Sequence, residues 1–207
     1  MDLSHPEYTL FGADKARVLR RLAMLDEPTS GRRIHQLSGV RTLRTTQRIL
    51  DELVRVGLVR SRVVGRANAY RANRNHVLWP VIEAAIGVPA ATEARIAEIL
   101  AEDLGEQAVS TALYGSAARR EAGPDSDVDI FAVWKDGAPA EHAADLVNSA
   151  ATRIEEVTGN PAQIFAVDEE ELGRLVAQKA PLVESLRRDA RNLTGQDLRD
   201  LIVRAAR

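Results

Sequence analysis

The spacing of apolar residues changes period several times along the chain, and each change marks an element. From residue 14 onward, Ala16, Val18, Leu19, Leu22 and Leu25 recur at helical spacing, with Asp14 placed to cap the helix. Pro28, Ser30 and Gly31 end it. A short second helix turns Ile34 and Leu37 inward and stops at Ser38-Gly39. A third runs from about Arg41 to Val56, with Leu43, Ile49, Leu50, Leu53 and Val54 inward, and Gly57 stands where a left-handed residue closes a helix. The pattern then turns β-prone. Leu58 to Val64 and Asn68 to Ala72 flank a turn around Gly65 and predict a hairpin.

The second half alternates between the two periods. His76 to Ile86 is apolar for a connector, and Trp79, Val81, Ile82 and Ile86 are expected to pack between domains or against a second subunit. Ala91 to Leu104 reads as an amphipathic helix. Ala108 to Tyr114 reads as a buried strand that runs directly into Gly115-Ser116. A second strand, Ser126 to Val133, opens with alternating acids. A helix over Glu141 to Val157, the turn Thr158-Gly159-Asn160 and a strand over Pro161 to Val167 follow. Asp168 to Glu171 suits the acidic first turn of a further helix. Gln178 to Arg207 predicts two helices broken at Leu193-Thr194-Gly195, with Leu182, Val183, Leu186, Leu198, Leu201 and Ile202 packing on the sheet or on a partner. The fold class expected is α+β: three helices plus a hairpin, then a small mixed sheet with helices and a helical C-terminus. The divisions expected are 1–78, a helical connector over 79–105, and 106–207.

Charge divides the chain in the same place. Residues 1–78 carry fifteen bases against seven acids, a net +8, while the remainder carries thirteen against 23, a net −10. A basic half suits phosphate neutralisation, although a solvated arginine face would have the same composition. The chain has no cysteine, which excludes disulfides and thiolate metal sites. Its four histidines (His5, His35, His76 and His142) are scattered. The N-terminus lacks the pattern of a secretory signal, and no run approaches the ~18 apolar residues of a membrane span. A cytoplasmic location without membrane contact is expected.

Two features carry chemistry. On a strand, residues i and i+2 share a face, so Asp127 and Asp129 project together while Val128 and Ile130 face the other way. Paired carboxylates repel unless a cation sits between them, and Mg²⁺, or Mn²⁺, commonly bridges protein carboxylates to phosphates. Gly115-Ser116, ending a strand and opening a short helix, offers backbone N–H groups and a hydroxyl to a triphosphate.

Gly115-Ser116, a ten-residue gap and Asp127-Val128-Asp129 together resemble the nucleotidyltransferase superfamily of the DNA polymerase β type. The run GSAARREAGPDSDVDIFAV is most similar to the minimal nucleotidyltransferases of bacteria and archaea. The similarity is specific over Tyr114 to Val133 and looser to about Leu175. It implies that Gly115, Ser116 and Arg119 bind an NTP, that Asp127 and Asp129 hold the metal and are catalytic, and that an acceptor attacks the α-phosphate. Members usually supply a third carboxylate from a neighbouring strand, and the aligned position here is Gln163, a weaker metal ligand without a basic group. Asp168 is the alternative. Relatives often carry glycine where this chain has Arg120.

The first 78 residues resemble winged helix-turn-helix regulators of the multiple-antibiotic and arsenic repressor types, on the run from Gln47 to Val59 with its Gly57-Leu58-Val59 lead into the wing. The resemblance implies that the third helix enters the major groove of double-stranded DNA. Arg41, Thr42, Arg44, Thr45, Thr46 and Arg48 would then meet bases or phosphates, with Arg62 and Arg66 at the wing. Winged-helix regulators usually bind as homodimers. Two readings stay open: a DNA-tethered nucleotidyltransferase, antitoxin-like and autoregulatory, with a protein acceptor or toxin as partner; and a transcriptional regulator whose second domain binds nucleotide without catalysis.

Overall fold

The computed structural model describes residues 1–123, 125–135 and 140–206, with backbone alone for 140–142. The described chain is an α+β protein with two sheets that forms two compact units, His5–Val88 and Pro89–Arg207, the latter joined by Met1–Ser4.

In the first unit α1 (Glu7–Phe11) and α2 (Ala13–Ala23) are separated by Gly12 at φ +74°. Sequence periodicity places the start of α2 correctly but gives its cap to Asp14. Gly12 occupies that position, and Asp14 lies in the first turn, beside the positive end of the helix. The short α1 is an unpredicted addition. It is held by Glu7, 1% exposed, whose Oε1 accepts from Arg20 Nε and Nη2 at 3.0 and 2.5 Å. β1 (Thr29–Ser30) leads into α3 (Gly31–Ser38). Ser30 caps that helix by accepting the Arg33 N–H, and Gly39 closes it at φ +68°.

α4 (Leu43–Arg55) starts at Thr42, whose hydroxyl accepts the Thr45 N–H at 3.1 Å. Gly57, at φ +80°, has the left-handed backbone expected of it. β2 (Val59–Val64) and β3 (Ala67–Ala72) then pair antiparallel around the two-residue turn Gly65-Arg66, and β1 adds to β3, giving the order β1-β3-β2. The unit's core joins Val18, Leu19, Leu22, Ile34, Ile49, Leu50 and Leu53 to Tyr70 of the hairpin. Leu43 departs from its expected inward position: it is 43% exposed in the first turn of α4.

α5 (Trp79–Leu104) is a single helix over the span expected as a helical connector, with Pro89 inside it. Proline removes the bond to the carbonyl four residues back, and the helix continues past it. Trp79 and Ile82 are buried in the first unit's own core, while Val81 is 56% exposed.

The second unit is built on β4 (Ala108–Leu113), the short α6 (Gly115–Ala118), β5 (Val128–Trp134), α7 (Ala140–Thr158), β6 (Ala162–Val167), α8 (Glu169–Ala177), α9 (Pro181–Asp189), β7 (Arg191–Gly195) and α10 (Leu198–Ala205). Its sheet has the order β6-β5-β4-β7, with β5 and β6 parallel and the other pairs antiparallel. β7 corrects the expected break between two C-terminal helices: the break is an edge strand on β4. Thr111 and Thr194 share a hydroxyl hydrogen bond of 2.7 Å across that pair.

Alternation along β5 divides the core. Phe131 and Val133 face a cluster with Leu172, Val176, Val183, Leu186, Leu198, Leu201 and Ile202 from α8, α9 and α10. Val128, Ile130 and Trp134 face another with Ile96, Ile99, Leu100 and Leu104 of α5 and Ala150 and Ile154 of α7. Helices thus cover both faces, which explains why β5 reads as a nearly continuous apolar run after its acids. No helix among the described residues is long and apolar enough to cross a membrane.

Candidate functional site

Asp127 and Asp129 stand at the start of β5, on the face that Phe131 and Val133 continue into the core. One residue further along that face would be buried under α8–α10; at its open end a carboxylate is only half covered. Val128 and Ile130, wholly buried on the opposite face, fix the register, since a slip by one residue would bury both acids. Among the described residues neither acid has an ion-pair partner. Burial, and after it the Asp127 charge, pushes the Asp129 carboxyl above its ordinary range, against a smaller opposing effect of Arg119.

Gly115 is shaped to this pair. Its φ of +68° disfavours any side chain, and a Cβ there would overlap Asp129 Oδ2 and come 3.1 Å from Asp129 Cγ. The glycine thus lets the turn after β4 lie directly against the second acid. Tyr114 donates its N–H to the Asp129 carbonyl at 2.9 Å, which ties the two strand ends together. Tyr114 supplies no side-chain cap to α6. Ser116 follows in the first turn of that helix, partly exposed.

Gln163 lies directly beside Asp129 in the parallel register of β5 and β6. Its Nε2 donates to Asp127 Oδ2 at 2.8 Å. The third position is therefore next to the pair, and its side chain acts there as a donor to an acid. Asp168 has another role: it caps α8 by accepting the Glu171 N–H at 2.6 Å.

Arg119 is engaged by carboxylates. Its Nε donates to Glu121 at 2.8 Å and its Nη1 to Asp189 at 3.4 Å, and Asp189 also takes Arg188 at 2.8 Å. A phosphate reaching Arg119 has to compete with these acids for the guanidinium. Asp189, at the end of α9, had no signal in the sequence that linked it to Arg119. Arg120 takes φ +59°, the conformation that glycine adopts freely. The glycine common at this place in similar proteins thus has a backbone reason, and an L-residue here costs on the order of 1–2 kcal/mol.

Among the described residues no cluster of three or more His, Cys, Asp or Glu is positioned to hold a metal. The pair itself still fits a divalent cation shared with a ligand. Among the described residues the two neighbouring carboxylates form no ion pair, one of them is held above its ordinary pKa by burial, and Mg²⁺ usually takes only one or two protein carboxylates, with substrate phosphates completing its shell.

On the first unit, Arg41, Arg44, Arg48, Arg62 and Arg66 are exposed, and among the described residues none of them has an ion-pair partner. Thr42 and Thr45 bond to each other through their hydroxyls at 2.9 Å. Thr46 does not share this surface. It is wholly buried, pairing with His35 Nδ1 at 3.1 Å and donating to the Thr42 carbonyl at 3.3 Å, so its hydroxyl faces the protein and cannot meet DNA.

The family model of the nucleotidyltransferase domain matches residues 93–189, a span that contains β4 through α9 and both acids. A solved structure described as a toxin-antitoxin with AMP-PNP is similar at 14% identity, over 53% of this chain and 82% of that one, with a TM-score of 0.35. No curated protein matches the chain.

The raised pKa of Asp129 gives a signed prediction. Its folded pKa lies above its unfolded one, so the folded state binds more protons, and the ionised form weakens the fold as pH rises through the folded pKa. Without divalent metal, Asp129→Asn is expected to melt at a higher temperature than the wild type near pH 7. The advantage should vanish toward about pH 3, where both states are protonated. Melting curves at a series of pH values check this; an equal or lower melting temperature near pH 7 contradicts it.

Proposed function

We propose that the second unit transfers a nucleotidyl group from an Mg²⁺- or Mn²⁺-bound NTP to an acceptor, and that the first unit is a winged helix-turn-helix that binds double-stranded DNA. The observation that carries the first part is the acid pair pressed against Gly115 within the span that matches the nucleotidyltransferase domain. In this reading Asp127 and Asp129 hold the cation through their oxygens, and the turn at Gly115-Ser116 takes the phosphates on its N–H groups and the Ser116 hydroxyl. Arg119 exchanges its carboxylate partners for phosphate oxygens. A cation held there by Asp127 and Asp129 would supply charge neutralisation of the phosphates, while the Gly115-Ser116 turn and Arg119 would orient them for attack by the acceptor at the α-phosphorus with pyrophosphate as leaving group. Gln163 supplies no base, so the acceptor's proton passes to an acid of the pair or to water.

For the first unit, α3 and α4 form the helix-turn-helix and β2-β3 the wing. Support comes from the net +8 of residues 1–78 and from five arginines that form no ion pair among the described residues: Arg41 just before α4, Arg44 and Arg48 on it, and Arg62 and Arg66 on the hairpin. Thr42 and Thr45 complete the face; Thr46 is left out of it. A homodimer on a two-fold site, autoregulation of an antitoxin kind, a protein acceptor or toxin as partner, and a cytoplasmic setting all accord with this reading.

One observation favours a second reading. The Gln163 amide donates to Asp127 where similar enzymes place a third acid, which suits a regulator that binds NTP without turning it over. Incubation with each α-labelled NTP, Mg²⁺ or Mn²⁺ and host lysate separates the two. Label on an acceptor, lost in the Asp127→Asn/Asp129→Asn variant, is the expected outcome. Nucleotide binding without transfer selects the regulator. For the DNA face, Arg44→Ala with Arg48→Ala is expected to weaken DNA binding and to lower the slope of log K against log salt by about 1–2. Full-strength binding by this variant contradicts the face assigned.

A further inference from the structure

Thr158 and Asn160 are polar side chains buried in the unit that holds the acid pair, 3% and 1% exposed, and the proposed transfer uses neither. They build the turn between α7 and β6. Thr158 Oγ1 donates to the Ile154 carbonyl at 2.8 Å and accepts the Asn160 N–H at 3.2 Å, which stiffens the turn from within. The Asn160 side chain reaches outward instead. Its Nδ2 donates to the Ser126 carbonyl at 2.8 Å and to the Met1 carbonyl at 3.1 Å.

The Ser126 carbonyl is the peptide oxygen immediately before Asp127. On the other side of Asp127, Val128 donates its N–H to the Pro161 carbonyl at 2.8 Å, and the carboxylate itself accepts from Gln163. Asn160, Pro161 and Gln163 thus hold the residue before Asp127, the residue after it and its side chain. Asp127 precedes the first residue of β5, so the regular ladder does not fix its backbone. Of the three, Asn160 is the one whose side chain holds backbone, and it does so from a buried position where an unpaired carbonyl would be costly.

We propose that Asn160 is a positioning residue for Asp127: through the Ser126 carbonyl it sets the backbone from which the first acid reaches the cation. The proposal rests on the reading of Asp127 and Asp129 as the cation-holding pair. Partners that orient metal ligands typically change metal affinity by about 10–100-fold when removed.

The test is an electron paramagnetic resonance titration of the full chain with Mn²⁺ alone. Wild type, Asn160→Ala, Thr158→Val and Asp127→Asn/Asp129→Asn are compared, with a melting curve for each. Asn160→Ala is expected to raise the Mn²⁺ Kd by about 10-fold or more. Thr158→Val, which loosens the same turn without touching the bond to Ser126, is expected to lower the melting temperature and leave the Kd within about twofold of wild type. Equal affinity in Asn160→Ala and wild type overturns the role of Asn160 while the acid pair stands. So does an equal loss in both turn variants, because general loosening then explains it. Wild-type protein that binds no more Mn²⁺ than the double acid variant overturns both readings. If Asn160→Ala does not fold, nuclear magnetic resonance of the wild type decides: the Asn160 side-chain amide is expected to shift as Mg²⁺ is added, and an unmoved resonance overturns the proposal.

Discussion

Two like charges placed side by side at the open end of one sheet face set the terms for the second unit. Strand alternation puts Asp127 and Asp129 together; burial first, and the Asp127 charge after it, raise the pKa of Asp129. Among the described residues the pair has no ion-pair partner, and the Arg119 charge offsets the rise only in part. The neighbouring parts follow from that constraint. A glycine stands where any side chain would strike Asp129, and the strand ends of β4 and β5 are tied at Tyr114. Gln163 relieves part of the repulsion by donating to Asp127.

The rest of the unit maintains this geometry by ordinary means. β5 is central, paired on both sides and covered on both faces, so its register cannot slip without burying charge or exposing Phe131 and Val133. The C-terminal segment belongs to this arrangement. β7 extends the sheet beyond β4, and α8, α9 and α10 bury the face whose open end bears the acids. α9 also places Asp189 against Arg119, so that the arginine just after α6 already has carboxylate partners. The first unit is organised differently: its core is shared between α2, α3, α4, the start of α5 and the hairpin, and Arg41, Arg44, Arg48, Arg62 and Arg66 are left on the surface.

Much of this was legible in the residues. The alternation of Asp127, Val128, Asp129 and Ile130 announced both the strand and the shared face, because it rests on the period of two. Gly57 and the start of α4 near Thr42 were legible because caps are local chemistry. Gln163 was singled out by the resemblance, as the residue aligned with a third acid, and it pairs in register with Asp129. What stayed hidden depends on distant partners. β1 has two residues and β7 has no apolar alternation, so neither produces a periodic signal; each exists because a neighbouring strand receives it. Thr46 looked like part of a polar helix face, yet a threonine is small enough to be buried once His35 and the Thr42 carbonyl satisfy its hydroxyl. Arg119 as a carboxylate-bound arginine and Asn160 as a brace on Ser126 arise only when residues about 70 and 34 positions away fold against them.

The central claim is that the acid pair and the glycine turn make a nucleotide site that depends on a divalent cation. Calorimetric titration of the full chain with a non-hydrolysable NTP analogue, in Mg²⁺ and again in excess chelator, tests it most directly. The account predicts saturable binding in Mg²⁺ that disappears in chelator and in the Asp127→Asn/Asp129→Asn variant. Binding of equal strength with and without the cation, or none in either condition, would contradict it.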